Sequence, residues 1–271
     1  GGIDPTDGLA DLRHGIVRVV GAHSFVSDPL RLLRVFRFAA TLGYTVDPAT
    51  LAMVQQQGPL LTTVAPERIA HELDLLMAAP KAHDMVASMA DCGLLWECIP
   101  ELAAGRGMTQ PESHHLDVWG HNLETLRQME ALLVDVGACF PETSEAMLAY
   151  LGRPHCHLRL KWAALLHDLG KPATHALRTD KGNRITFYNH DQVGAHLFDA
   201  FAQRLRWSNE QREQVRRLIA GHMHPFHLAN VARAGQLSLR AAIRMIRKNE
   251  KDLPGLFLLA MADSLAAQGR L

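Results

Sequence analysis

Helical spacing and helical punctuation dominate the apolar pattern of this 271-residue chain. Asp28-Pro29 offers an N-cap followed by proline at the first helical position and opens a segment that runs to Gly43. Asp47-Pro48 repeats the device ahead of Leu51 and Val54. Ala65-Pro66-Glu67 starts a third helix through about Met77, and Pro80 a fourth that stops near Gly93. Residues 115–136 form a long amphipathic stretch. Residues 158–169 carry Leu160, Ala163, Ala164, Leu165 and Leu166 into a helix with Gly170 as its stop. Four more helices are expected over 190–206, 209–221, 237–249 and 254–267. Strand signals are limited to Gly15–Val20, which is β-branched, and Arg184–Tyr188, half of a small hairpin. The pattern predicts an all-α fold, with a boundary in 103–113, where apolar periodicity lapses and Gly and Pro intervene.

Composition narrows the class. Hydrophobic content of 48% with 21% charged residues indicates a folded globular protein rather than a disordered one. No apolar run approaches the roughly 20 residues of a spanning helix, and no signal peptide is visible. Cys92, Cys98, Cys139 and Cys156 form no Cys-x-x-Cys pair, so reduced thiols and a cytoplasmic protein are expected. Net charge is zero, but residues 1–105 carry 7 basic and 12 acidic side chains while residues 191–271 carry 12 and 7. Part of that excess is a stripe: Arg240, Arg244, Arg247 and Lys251 share one helical face, suited either to RNA phosphates or simply to solvent. The chain opens Gly1-Gly2-Ile3 without an initiator Met and reads as a piece of a longer protein.

The candidate chemistry is a dispersed series: His121, the doublet His167-Asp168, His190, His222 and Asp263. Imidazoles and carboxylates together are the ligand set of borderline divalent metals, and a metal with an open position makes water a nucleophile near neutral pH. Adjacent residues on a helix point about 100° apart, so the doublet can flank one ion from two sides and leave a carboxylate oxygen for a second.

This ordered series, with Gly170-Lys171 after the doublet and Asn189-His190-Asp191-Gln192-Val193-Gly194-Ala195 further on, resembles the HD superfamily of metal-dependent phosphohydrolases. The resemblance implies that His121, His167, Asp168 and Asp263 ligate a first ion. It implies a second on His190 and His222, with Asp168 bridging and Lys171 meeting a substrate phosphate. The cofactor is then one or two divalent ions (Mg, Mn, Ni, Co, Zn or Fe), and His167, Asp168 and Lys171 are the expected catalytic residues. With 16 histidines present, several must be bystanders. His114, His115, His155, His157, His175, His224 and His227 fit no ligand position, His196 lies off the face of His190, and His224 competes with His222 within Gly221–Pro225.

A second string, Asp28-Pro29-Leu30-Arg31 through Ala40, resembles the neck of bacterial tRNA nucleotidyltransferases (CCA-adding enzymes) and related poly(A) polymerases. Ile3–Leu12, Val64–Ile69 and Cys92–Leu102 extend the likeness in the family's own order. In that family a Glu-Asp-x-x-Arg motif selects CTP or ATP, so the resemblance implies nucleotide binding by Asp28 and Arg31, with Arg34 and Arg37 lining the same neck surface or pairing with acidic side chains of the first segment. Ser27 stands where the family has Glu, and the catalytic head's Gly-Ser turn and Asp-x-Asp pair are absent from these residues.

The implied organisation is a residual head tail over 1–27, a helical neck and body over 28–105, and an HD bundle with a metal site in its core over 114–271. The expected function is phosphohydrolysis (2′-nucleotidase, phosphatase or 2′,3′-cyclic phosphodiesterase) without nucleotidyl transfer by this chain alone. The expected partners are a tRNA 3′ end or nucleotide phosphoesters, with CTP and ATP only if a head is present, and no membrane. The alternatives are a non-catalytic tRNA-docking module, or part of an intact CTP/ATP:tRNA nucleotidyltransferase whose head lies upstream.

Overall fold

The structure, a computed structural model, describes residues 4–111 and 115–268. His114 and one end of the 103–113 stretch lie outside the described residues. The chain divides into two compact units, residues 1–100 with 204–207 and residues 101–203 with 208–271.

The first unit is helical, and its core is organised by Arg31–Leu42, which buries Leu32, Leu33, Val35, Phe36, Ala39 and Ala40. Those six follow the helical period, so one apolar stripe faces inward against Pro66–Ala78 and Ala82–Asp91. Asp47 caps Pro48–Gln57 as expected, its carboxylate accepting the Thr50 N–H at 3.0 Å. Asp28 does not act as a cap. The helix begins three residues later, Asp28 is extended at φ −149° and ψ 93°, and its carbonyl accepts the Arg31 N–H at 3.0 Å. Proline disfavours the helical conformation in the residue before it, which frees this carboxylate for side-chain contacts. The strand expected over 15–20 shrinks to Ile16–Val17, paired in parallel with Thr45–Val46. Beyond it, the Val19 N–H donates to Thr50 Oγ1 at 3.0 Å and is lost to any ladder.

The second unit is built around Cys156–Leu166, nine of whose eleven residues are buried. A helix buried on nearly every side must sit in the middle of a bundle. Val118–Val134, Asn209–Gly221 and Leu253–Ala267 pack around it. Two polar ties fix these neighbours: Lys161 pairs with Glu130 at 2.7 Å, both buried, and Arg159 donates to Gln214 Oε1 at 2.6 Å. Arg184–Thr186 pairs antiparallel with Ala176–Arg178, which completes the expected hairpin. The apolar pattern extends the central helix through Leu169, but it ends at Leu166, and His167 to Gly170 form the turn leading to Lys171–Thr174. His224–Arg233 is a helix outside the expected set. Pro225 sits in its first turn, where a missing N–H costs nothing. Among the described residues no helix is long and apolar enough to cross a membrane.

Candidate metal centre

Four of the helices and the turn after the central one bring the dispersed series together. His121 comes from the first turn of Val118–Val134, whose start is fixed by Asp117 accepting the Gly120 N–H. The turn after Leu166 supplies His167 and Asp168; His190 opens His190–Arg204, His222 closes Asn209–Gly221, and Asp263 lies in Leu253–Ala267. Two clusters result: His121, His167 and Asp263, and Asp168, His190 and His222, with the potential donor atoms of each cluster within 4.8 Å of one another.

Asp168 joins the two. Its Oδ2 lies 3.2 Å from His167 Nε2 and 3.6 Å from His121 Nε2, while its Oδ1 lies 3.4 Å from His190 Nε2 and 3.9 Å from His222 Nε2. Asp263 Oδ1 is 2.9 Å from His121 Nε2.

The tautomers can be read from the backbone. The Nδ1–H groups of His167, His190 and His222 donate to the carbonyls of Ala164, Phe187 and Ile219 at 2.9, 2.8 and 2.6 Å. A carbonyl can only accept, so each neutral ring presents an Nε2 lone pair to the centre. His190 Nε2 and His222 Nε2 are nevertheless 3.1 Å apart. Two facing acceptors repel unless a proton or cation lies between them, and the buried His167 Nε2 lacks a hydrogen bond of normal geometry. Metal-binding histidines are commonly held this way, with one ring nitrogen anchored on the backbone and the other turned inward, and this donor set fits a divalent ion.

Burial and charge act on the same groups. Burial, with the nearby His167 and His190, pushes His222 down to about 4, which keeps it neutral. Burial raises the Asp263 carboxyl, but the hydrogen bond from His121 and the charges of His167 and His121 outweigh it and hold the group at about 2. Asp168 is likewise held well below the carboxylate range, the effect of burial being outweighed by His167, Lys171 and His190.

Lys171 is buried, with Nζ 2.6 Å from Asp168 Oδ2 and 2.6 Å from Gln110 Oε1, and 5.5 Å from the Phe187 ring centroid. It points into a cavity of about 790 Å³ that also receives Asp168, His190 and Asp263. Phe187 and Tyr188 line one wall, and Phe226, His227 and Asn230 another. His227, expected as a bystander, therefore faces the cavity. No sequence signal marks Gln110, which lies in the stretch that reads as a linker. His196 and His155 are exposed and join neither cluster, and His224 bonds Asn249 instead of replacing His222.

In the first unit Asp28 and Arg31 do stand side by side, at 3.9 Å, and Asp28 also lies 3.6 Å from Arg34 and 3.7 Å from Arg68. Ser27 Oγ accepts from Arg31 at 3.4 Å. Arg34 and Arg37 hold the two oxygens of buried Glu72 at 3.0 and 2.8 Å, so the acid they pair with lies in the third expected helix. Arg240, Arg244 and Arg247 are exposed on Leu239–Asn249. Lys251 lies past the end of that helix, so it is not on the continuous face that its spacing implies.

The HD domain family matches residues 118–268, more than half of the chain. The family described as "Probable RNA and SrmB- binding site of polymerase A" matches residues 43–105. An A-adding tRNA nucleotidyltransferase of Deinococcus radiodurans is 34% identical across 98% of the chain. The chain belongs to the tRNA nucleotidyltransferase family, with its neck and HD domains. A multifunctional CCA protein of Pseudomonas aeruginosa is another relative, 32% identical across 99% of the chain. The chain spans 56% and 60% of the lengths of these two family members. Likeness in fold extends to a Thermotoga maritima CCA-adding enzyme solved with tRNA (TM-score 0.59, 15% identity, 97% of this chain and 52% of that one). It extends also to a tRNA nucleotidyltransferase complexed with a primer tRNA and an ATP analog (TM-score 0.57, 19% identity, 96% and 60%).

Proposed function

We propose that the HD domain of this chain is a metal-dependent phosphohydrolase acting on nucleotide phosphomonoesters or 2′,3′-cyclic phosphodiesters. The observation that carries this reading is the presence of two donor sets, buried except for half-buried Asp263, at the two oxygens of one carboxylate, Asp168. His121, His167, Asp168 and Asp263 would hold one ion, and His190 and His222 would share Asp168 for another. Divalent ions bound there supply Lewis acidity toward the phosphoryl oxygens and toward the attacking water. His167 and Asp168 are the residues on which that chemistry most depends. Lys171, held between Asp168 and Gln110 at the cavity floor, is placed to take a non-bridging phosphate oxygen and offset the charge that develops on it.

The first unit supports a role at RNA 3′ ends. Asp28 and Arg31 offer paired acceptor and donor groups to a nucleotide base, with CTP or ATP as ligands where a transferase head accompanies them. Arg34 and Arg37 fix this surface through Glu72, and Arg240, Arg244, Arg247 and Lys251 are offered to the phosphates of tRNA. These 271 residues contain no Asp-x-Asp pair to hold the metal of nucleotidyl transfer, so we expect no addition of CMP or AMP by this chain alone.

The test is release of phosphate from 2′- and 3′-AMP and opening of 2′,3′-cyclic AMP, with each candidate metal supplied in turn. Wild type should turn over in a metal-dependent way, Lys171→Ala should raise KM, and His190→Ala and His222→Ala should lower kcat at least tenfold. Ligand variants as active as wild type, or no turnover of any of these substrates, would overturn the proposal.

A further inference from the structure

A second cavity, of about 420 Å³, lies in the HD unit beside the metal centre. Arg216 and Arg217 of Asn209–Gly221 line it, together with Arg247 and Lys248 at the end of Leu239–Asn249 and Lys251 in the turn that follows. These five cations face three carboxylates, Glu213, Glu250 and Asp252. Two of the carboxylates are already engaged. Buried Asp252 accepts from Arg217 at 2.6 Å and Gln214 at 3.1 Å, and Glu213 binds Arg216 at 2.9 Å. Lys248 Nζ sits 3.2 Å from His224 Nε2 and has no carboxylate partner among the described residues. Among the described residues, neither Arg247 nor Lys251 pairs its side chain with a carboxylate. The concavity is therefore net positive, and its surplus charge is not used by the fold.

Its position gives that charge a meaning. Gln192 lines both this cavity and the metal cavity, and its amide donates to the Ala220 carbonyl at 2.8 Å. Ala220 and Gly221, which immediately precede His222, form part of the basic wall. The two cavities thus share Gln192 as a wall residue, and the segment that leads into the candidate ligand His222 lines the basic one. A polynucleotide with its end at the metal centre that passed Gln192 would enter the cavity that Arg247 and Lys248 line.

We propose that the basic cavity is a backbone-phosphate subsite. It would bind an internal phosphodiester of a single-stranded RNA whose terminal 3′-phosphate or 2′,3′-cyclic phosphate lies at the metal centre. The preferred substrate of the HD domain is then a polynucleotide end rather than a free mononucleotide. This rests on the phosphohydrolase reading above and adds to it the class of substrate.

The experiment compares the full chain, metal-loaded, on 3′-AMP and on a four-nucleotide RNA with a 3′-phosphate, across a salt series. A parallel arm measures binding of the same RNA by fluorescence anisotropy, which needs no turnover. Wild type should favour the RNA at least tenfold in kcat/KM, and Arg247→Glu with Lys248→Glu should erase most of that preference. The slope of log affinity against log salt should fall by about 0.7 for each phosphate that the variant leaves unneutralised. Both substitutions lie on exposed positions of one helix, and an unchanged circular dichroism melt checks that the variant is folded. Equal kcat/KM on both substrates, or RNA affinity and salt slope unchanged in the variant, overturns the subsite. Absence of turnover on either substrate overturns the phosphohydrolase reading, and the anisotropy arm then still decides whether the basic cavity binds RNA.

Discussion

Gly170 packs so closely on His190 that a methyl group on its Cα would lie 2.0 Å from the His190 carbonyl oxygen and 2.5 Å from the Gly194 nitrogen. The helix that begins at His190 can approach the doublet turn only because that side chain is missing. Gly170 itself has φ −80°, an ordinary value, so the requirement is for space and not for backbone freedom. Gly170→Ala should push His190 away from Asp168 and cost metal affinity at least tenfold while leaving the first unit intact. Isothermal titration with Mn²⁺ checks it; an affinity equal to wild type contradicts it.

Glu72 should be worth more to stability than its single charge suggests. It is buried between Arg34 and Arg37, and removing it takes the carboxylate from Arg37 and leaves Arg34 with only the more distant Asp28. Glu72→Ala is expected to lower unfolding free energy by about 1–3 kcal/mol, the usual cost of losing hydrogen bonds to a charged group. Urea denaturation measures this, and an unchanged midpoint refutes it.

The thiols should separate sharply. Cys98 and Cys156 are buried, and burial pushes both upward, Cys156 to about 11, whereas Cys139 is exposed. Native protein treated with a disulfide reagent near pH 8 should therefore show one fast thiol, Cys139, and Cys139→Ser should abolish the fast phase. A fast phase that survives the substitution shows that one of the buried cysteines is accessible.

Much of this was legible from spacing. The N-cap at Asp47, the helix 209–221 and the six-residue ligand series are all local signals, set by residues within a turn of one another or by an order along the chain. What spacing missed depends on tertiary contacts. The central helix stops at Leu166, where His167 and Asp168 turn into the two donor clusters among helices far away in sequence. Asp28 is withdrawn from its cap by Pro29 and the arginines around it. Gln110 meets Lys171 across 61 positions, and no periodicity can report such a pair.

Low pH should weaken the metal-free protein through His222. Burial depresses this group to about 4 from an ordinary value near 6.5, so between those limits the unfolded chain binds a proton that the folded chain refuses. More protons on the unfolded state means that stability rises with pH across the window and is lost as pH falls from about 6.5 toward 4. His167, raised by Asp168 and Asp263 against the effect of burial, acts in the opposite sense, so the informative quantity is a difference between two proteins. With chelator present, the melting temperature of His222→Asn should fall less steeply between about pH 6.5 and 4.5 than that of wild type. Parallel curves would contradict the assignment.

The most direct test of the metal centre is the number of ions held by each variant, measured by elemental analysis after reconstitution and desalting. Wild type should hold two ions per chain. His121→Ala should lose the ion on the His167 side and keep the other, His190→Ala should do the reverse, and Asp168→Asn, which removes the shared carboxylate, should lose both. A wild type that holds no ion, or an Asp168→Asn variant that holds as many as wild type, contradicts a two-ion centre joined by Asp168.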